Sequence, residues 1–352
     1  MTSSAAAPSP GSRSRSGANL ARRRRRGVAL GLFALLVLGF LGLATGSRPI
    51  PPGTALAALF HHDPSNDLHL IVSVLRIPRT LLAMLVGAAL GLAGALMQAA
   101  TRNPLAEPGL LGISAGASVA VILAIAAFQL HNMAGYVWFG MLGAGLAGAA
   151  VFLLGRAHLS GTDPVRLVLA GAGISVVLGA VTGLVIMNAP LSVLDNFRNW
   201  AAGSVEGRDM GAVAVMAVAL ACGGGLALAL AGPLNALALG QELGQTLGVR
   251  PARIWALTCL AVMVLAGPAT AAAGPIGFIG LVAPHLARMA GGPDYRWILP
   301  LSALFAASLL LGADVIGRVL APPSEIAAGI IATLIGGPFF VWTVRKFRLA
   351  RL

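Results

Sequence analysis

Charge is scarce in this 352-residue chain: Asp, Glu, Lys and Arg together make up 10% of it, against 57% hydrophobic residues. Soluble domains are about a quarter charged, which argues against a water-soluble enzyme. The chain is also far too apolar to be disordered. Lysine is scarcer still, with Lys346, in TVRKFRL, the single one present. A Walker A loop needs a lysine behind a glycine-rich turn to reach nucleotide phosphates, so this chain is not a P-loop ATPase by itself. The two cysteines, Cys222 and Cys259, sit in apolar stretches and read as small buried hydrophobes, not as a disulfide or metal pair.

Acids are missing altogether from residues 1–26, which hold seven arginines, Arg13, Arg15 and the run Arg22 to Arg26. Residues 345–352 add Arg345, Lys346, Arg348 and Arg351, so the two ends account for eleven of the formal net charge of +13. A nearly neutral apolar body with basic ends is the pattern of a membrane protein. It is not a nucleic-acid-binding surface, and no nucleic-acid partner is expected.

What is abundant is long apolar sequence. Crossing ~30 Å of hydrocarbon takes about 20 helical residues. Ten stretches qualify, near 28–46, 80–100, 110–130, 136–155, 167–189, 211–231, 254–272, 276–290, 297–320 and 326–344. The eighth is short. The basic leader is long and lacks a convincing cleavage site, so the first stretch reads as a retained span. The chain divides into a basic disordered leader (1–26), a ten-span domain (27–344) and a basic tail (345–352). The positive-inside rule puts the leader in the cytoplasm, and an even number of spans puts the tail there too. The expected fold is therefore an all-α, multi-pass protein of the cytoplasmic membrane. Gly/Ala runs such as GAALGLAGAL (87–96) and GAGLAGAA (143–150) predict close helix packing. Spans two to five and seven to ten would run in opposite senses, as in an inverted repeat.

Several polar groups interrupt this apolar background. LRIPRT (75–80) sets Arg76 and Arg79 at the outer mouth of span two, as headgroup anchors or as a cationic patch for an acidic partner. The segment beginning at Met97, MQAATRNPLAEPGLLGISAGA, carries Pro104 and Pro108, which break the helix between spans two and three. Arg102 and Glu107 could pair across that turn, and a plain hairpin would not need Gln98, Asn103 and Glu107 so near the apolar core. The loop 233–252, PLNALALGQELGQTLGVRPA, is longer than most helix connections. His285 reads as a packing or capping residue, since no second histidine lies near it. HHDPSNDLH (61–69) lacks regular ligand spacing and reads as a solvated loop, so no metal site is expected.

Taken in order, LRIPRT, GALMQAATRNPLAEPGLLGISAGA, GPIGFIGLVAPHLAR (274–288), LLLGADVIGR (309–318) and GIIATLIGGPFF (329–340) resemble the permease subunits of type II ABC importers for ferric siderophores, haem and cobalamin. The resemblance spans about 70–345. It implies ten spans per subunit, a second permease subunit as a homo- or heterodimer partner, two ATP-binding subunits inside and an extracytoplasmic substrate-binding protein. It implies no enzyme activity and no cofactor on this chain, with ATP and Mg used by the partner ATPase subunits. Matching positions imply that Arg76, Arg79 and Arg318 grip the binding protein, with Asp314 one helical turn from Arg318 to hold it. Leu239, Gly240, Glu242, Leu247 and Gly248 would form the element that couples to the ATPase. Ser160, Gly161, Thr162 and Asp163, in HLSGTD, would form the cytoplasmic gate, although Asp163–Pro164 departs from the commoner short Ser/Thr form.

The implied function is inward passage of an iron chelate, with ferric siderophore ahead of haem or cobalamin. An ion-coupled secondary transporter is the rival from another class. It needs intramembrane acids or histidines, and the spans offer little beyond Asp314. A purely structural anchor fits poorly with proline-broken helices.

Overall fold

A computed structural model describes residues 10–61, 63–130, 133–155 and 164–347. Among these the chain is helical, with no strand. In chain order the helices are α1 (Pro10–Ala44), α2 (Pro52–Phe60), α3 (Asp67–Leu70), α4 (Ile77–Thr101), α5 (Ile113–Phe128), α6 (Met133–Leu154) and α7 (Pro164–Asn188). They continue with α8 (Leu191–Ala201), α9 (Met210–Ala238), α10 (Gln241–Thr246), α11 (Pro251–Ala273), α12 (Ile279–Gly291), α13 (Tyr295–Leu320) and α14 (Ala328–Phe347).

Seven of the described helical stretches are long and apolar enough to cross a membrane, those of α1, α3–α4, α6, α7, α9, α11 and α13. Two shorter apolar helices, Ile113–Phe128 and Ala328–Thr343, fall where spans three and ten are expected. The eighth expected span is a 13-residue helix, α12, about 20 Å long and too short to cross alone. The non-helical stretch 274–278 leads into it. Irregular backbone at that depth is tolerated where protein covers it: Gly274 packs directly under the Trp200 carbonyl, and the Trp200 indole donates to the Ala271 carbonyl at 3.2 Å.

Two boundaries differ from the sequence reading. The arginine run, assigned there to a disordered leader, is helical and continuous with the first span in α1. The polar loop expected from 233 begins later, because α9 carries Pro233 inside it and runs on to Ala238. Its apolar residues Leu234 and Leu237 are buried against the bundle, which outweighs the local cost of the proline. At the other end, α8 is a short amphipathic helix: Val193, Phe197 and Trp200 face inward, and Asp195, Arg198 and Asn199 face out.

The core is built on α4, which packs against α13, α11, α9 and α12. Its small residues set the spacing. A Cβ on Gly91 would lie 2.4 Å from the Ser302 carbonyl oxygen of α13, and one on Gly94 would lie 1.8 Å from that of Gly280 in α12. Lipid supplies no hydrophobic force between helices, so such close backbone approach provides the packing contact instead. Gly94→Ala must push α12 away from α4. We expect it to destabilise the purified protein by about 1–3 kcal/mol, read as a lowered melting temperature in detergent; an unchanged melt would contradict this packing.

Candidate functional site

Two sets of polar residues lie at opposite ends of α13, whose 26 residues span roughly 39 Å. The first surrounds Asp314. A wide π-type turn over Ile71–Arg76 enters α4 and turns Arg76 and Arg79 toward the bundle. The Asp314 Oδ1 accepts from Arg79 Nε at 3.0 Å and Nη2 at 2.8 Å, and its Oδ2 accepts from Arg318. Arg79 Nη1 also donates to Glu325 at 2.5 Å. Arg318 Nη1 donates to the Gly42 carbonyl at 2.6 Å, while Arg76 donates to the carbonyls of Leu43 (2.7 Å) and Arg48. These arginines thus serve carbonyls at the C-terminal end of α1, where a helix leaves acceptors unsatisfied.

The structure therefore brings Arg76, Arg79, Arg318 and Asp314 together, but inside the fold. They are 6%, 9%, 2% and 1% exposed. Each of the three arginines has partners within the chain. Three guanidiniums face two carboxylates here, and the Arg79–Glu325 pair is the more accessible one, with side chains 10% and 12% exposed. Glu325 was not singled out from the sequence. Its being the single charged residue in the stretch 319–344 was the available signal.

The second set lies at the other end. A cavity of about 560 Å³ gathers Gln98, Pro104, Leu239, Gly240 and His285 from the sequence-predicted residues, together with Arg102, Trp255 and Arg288. Arg288 Nη1 donates to Gln98 Oε1 at 2.6 Å, and Gln98 Nε2 reaches the Leu281 carbonyl at 3.4 Å, so Gln98 joins α4 to α12. Arg102 takes a left-handed conformation that ends α4 and donates to the Leu237 carbonyl of α9 at 3.0 Å; it does not pair with Glu107. Asn103 closes its turn by accepting from the Leu105 N–H at 2.9 Å, and Pro108 opens a short 3₁₀ turn ahead of α5. Burial pushes the Glu107 carboxyl above its ordinary range.

Beside this cavity stands α10. Gly240 (φ 127°) and Gly248 (φ 81°) bracket it in conformations that L side chains avoid, which lets the chain reverse sharply on both sides. Gly244 is buried against Leu237 of α9. On α10 itself Leu243 and, at its C-terminal cap, Leu247 lie four residues apart and are 57% and 65% exposed; Leu239, which ends α9 just before Gly240, is 66% exposed, and Glu242 is exposed among them. Leu243 was not singled out from the sequence, although it lies midway between Leu239 and Leu247. His285 packs edge-on against Phe339 at 6.3 Å, as a packing residue would, and among the described residues no group of three His, Cys, Asp or Glu could hold a metal ion. The solvated-loop reading of HHDPSNDLH is corrected at its end: His69 lies in α3, is buried, and accepts from the Asp63 N–H at 3.1 Å. Ser160, Gly161, Thr162 and Asp163 lie outside the described residues.

Comparison with known proteins bears on both sets. The ferric enterobactin transport system permease protein FepD of Escherichia coli (strain K12) is 41% identical over 324 residues, covering 91% of this chain and 96% of the relative. The hemin transport system permease protein HmuU of Yersinia pestis is 37% identical over 333 residues, covering 90% of this chain and 97% of the relative. A solved structure, described as an inward-facing ABC transporter of the metal-chelate type, superposes with a TM-score of 0.79 at 28% identity, covering 90% of this chain and 97% of that one. The profile of the FecCD transport family matches residues 34–346, a stretch that holds both polar sets and leaves the arginine run outside. The chain belongs to the FecCD transport family.

Proposed function

We propose that this chain is the membrane subunit of an ATP-driven importer that moves a ferric siderophore inward between two permease protomers. The observation that carries the reading is α10, a glycine-bracketed helix that exposes Leu243 and Leu247, with Leu239 exposed just before it, at the end of the bundle that bears the arginine run. A groove on an ATP-binding subunit would cover those leucines. Movement of two such subunits, driven by ATP and Mg held on them, would reach the spans through this rigid element. The ferric enterobactin relative supports siderophore as cargo, and the hemin relative supports haem as the second reading.

The positive-inside rule assigns the arginine-bearing end to the cytoplasm, and both termini with it. Ten spans follow if α5, α12 and α14 are counted with the seven long helices. The inverted repeat is supported by α4 starting at the Asp314 end and α11 at the α10 end. A second permease copy or paralogue would cover α7, which exposes Leu169, Val176, Val177, Leu184 and Met187. At the outer end, an acidic residue of a substrate-binding protein would dock by displacing Glu325 from Arg79, with Arg76 and Arg318 adding positive field. Residues 160–163, between α6 and α7, are the proposed inner gate.

The test is uptake of radioiron-labelled ferric enterobactin by liposomes holding the permease, its ATP-binding subunits and its binding protein. Uptake should require ATP and vanish with a Walker-defective ATPase. Uptake that persists without ATP and collapses with an uncoupler would favour the secondary transporter instead. Asp314, the acid such a transporter would use, is already held by two guanidiniums.

A further inference from the structure

The arginine run lies outside the family match, yet one of its members is built into the fold. Arg22, Arg23, Arg25 and Arg26 are exposed, whereas Arg24 turns inward. Its Nε donates to the Gly291 carbonyl at the end of α12 at 2.9 Å, and its guanidinium lies 4.9 Å from the Trp297 ring centre and 3.9 Å from Asp294. Gly27, one turn on, packs against Ala290. Asp294 caps α13 by accepting from the Arg296 N–H at 3.0 Å. It also accepts from Asn235 Nδ2 of α9 at 2.6 Å, and Asn235 Oδ1 in turn accepts from the Tyr295 N–H at 2.9 Å.

Asn235 stands six residues before α10. A chain of contacts therefore runs from the leader through the α12–α13 turn to the stem of the leucine-bearing helix. The other end of α1 is fixed independently, by Arg76 and Arg318 on its terminal carbonyls. Between those anchors α1 packs one face on α13, where Gly31 lies against Leu304, and leaves Leu30, Phe33 and Leu36 exposed on the other. Two polar clamps thus hold the two ends of this span. Partial burial alone would lift the Asp294 carboxyl, but the Arg296 N–H, the Asn235 amide and the Arg24 charge hold it below its ordinary range, as an ionised partner.

We propose that Arg24 is a positioning residue for coupling: by clamping the leader helix to Gly291, Asp294 and Trp297 it holds Asn235, and with it the end of α9 from which α10 springs, in the orientation that receives the ATP-binding subunit. The proposal rests on α10 being the ATPase-docking element. It gives one arginine of the leader a role that the others do not share, since orientation in the membrane depends on their summed charge and anchoring depends on this one side chain's geometry.

The test compares Arg24→Gln with Arg25→Gln in full-length permease in nanodiscs. The two variants remove the same charge one residue apart. Binding of the cognate ATP-binding subunits is titrated, and thermal melting is followed in parallel. Arg24→Gln should weaken binding roughly tenfold, the scale of a lost charge-assisted contact, with little change in the melt; Arg25→Gln should bind as the wild type does. Arg24→Lys, which keeps the charge and loses the forked geometry, should recover part of the loss. Asp294→Asn should weaken binding, and its effect should not add to that of Arg24→Gln. Should Arg24→Gln fail to fold, Trp297→Leu carries the test with the same expected direction. Equal binding by the Arg24 and Arg25 variants, or by Trp297→Leu and wild type, overturns the proposal. A wild-type permease that binds no ATP-binding subunit would instead overturn the function on which it rests.

Discussion

Asp314→Ala should be the most damaging single substitution away from the transport path. It strips the shared acceptor from Arg79 and Arg318 and leaves two guanidiniums inside the fold with Glu325 as the remaining nearby acid. Removing one partner of a buried ion pair costs about 3–5 kcal/mol, because the charge left behind stays desolvated. Here the loss spreads further. Arg318 and Arg76 hold the Gly42 and Leu43 carbonyls, so a cluster that relaxes toward solvent also frees the C-terminal end of α1. We expect a melting temperature lowered by on the order of 10 °C in detergent and poor recovery from the membrane. Asp314→Asn, which keeps an acceptor but not the charge, should fall between. A variant that melts with the wild type would show that the arginines find water or lipid phosphate instead, and that Asp314 does not organise this end.

Leu243→Glu should do the opposite: leave the fold intact and abolish assembly. Leu243 is exposed on α10 between Leu239 and Leu247 in the chain, so the protein alone loses little when it becomes polar. Its predicted partner loses much. A charge introduced at the centre of an apolar contact is desolvated without compensation, and central anchors of this kind are worth at least about 2 kcal/mol, or roughly 30-fold in affinity. Permease carrying Leu243→Glu should melt normally, fail to retain the ATP-binding subunits on purification, and transport at background. Gln245→Glu, exposed on the same helix, is the control for charge alone. Normal assembly by Leu243→Glu would remove α10 from the ATPase interface.

Much of the fold was legible because a bilayer imposes a simple rule. Backbone groups in hydrocarbon must be paired within the segment, so long apolar stretches read as helices from hydropathy alone. The break at Pro104 and Pro108 was also legible, since proline withdraws a donor and the chain carries its own evidence of interruption. Less legible was α12. Its thirteen residues are hydrophobic enough to suggest a span but too short to be one, and its place depends on the non-helical 274–278 stretch being covered by Trp200. Pro233 misled in the other direction. A proline beside a polar loop reads as a helix end, and burial of Leu234 and Leu237 kept the helix going.

The polar residues divide along the same line. Arg76, Arg79, Arg318 and Asp314 were identifiable as unusual, because charge in an apolar chain is costly and has to be explained. The Asp314–Arg318 pair was readable from a four-residue spacing on one helix, and the structure has it. Arg79 joining Asp314 across 235 residues, Glu325 joining Arg79 across 246, and Gln98 meeting Arg288 across 190 were not readable. By itself the sequence determined that this is a helical membrane protein of a recognisable transport family with arginine-rich ends. Tertiary structure alone decided that Arg76, Arg79 and Arg318 are buried around Asp314, that Arg24 is clamped while its neighbours are exposed, and that Leu239, Leu243 and Leu247 stand exposed. The physical reason is range. Hydropathy, helix spacing and proline act within a turn or two of the chain, whereas the partner of a buried charge is chosen by how whole helices pack.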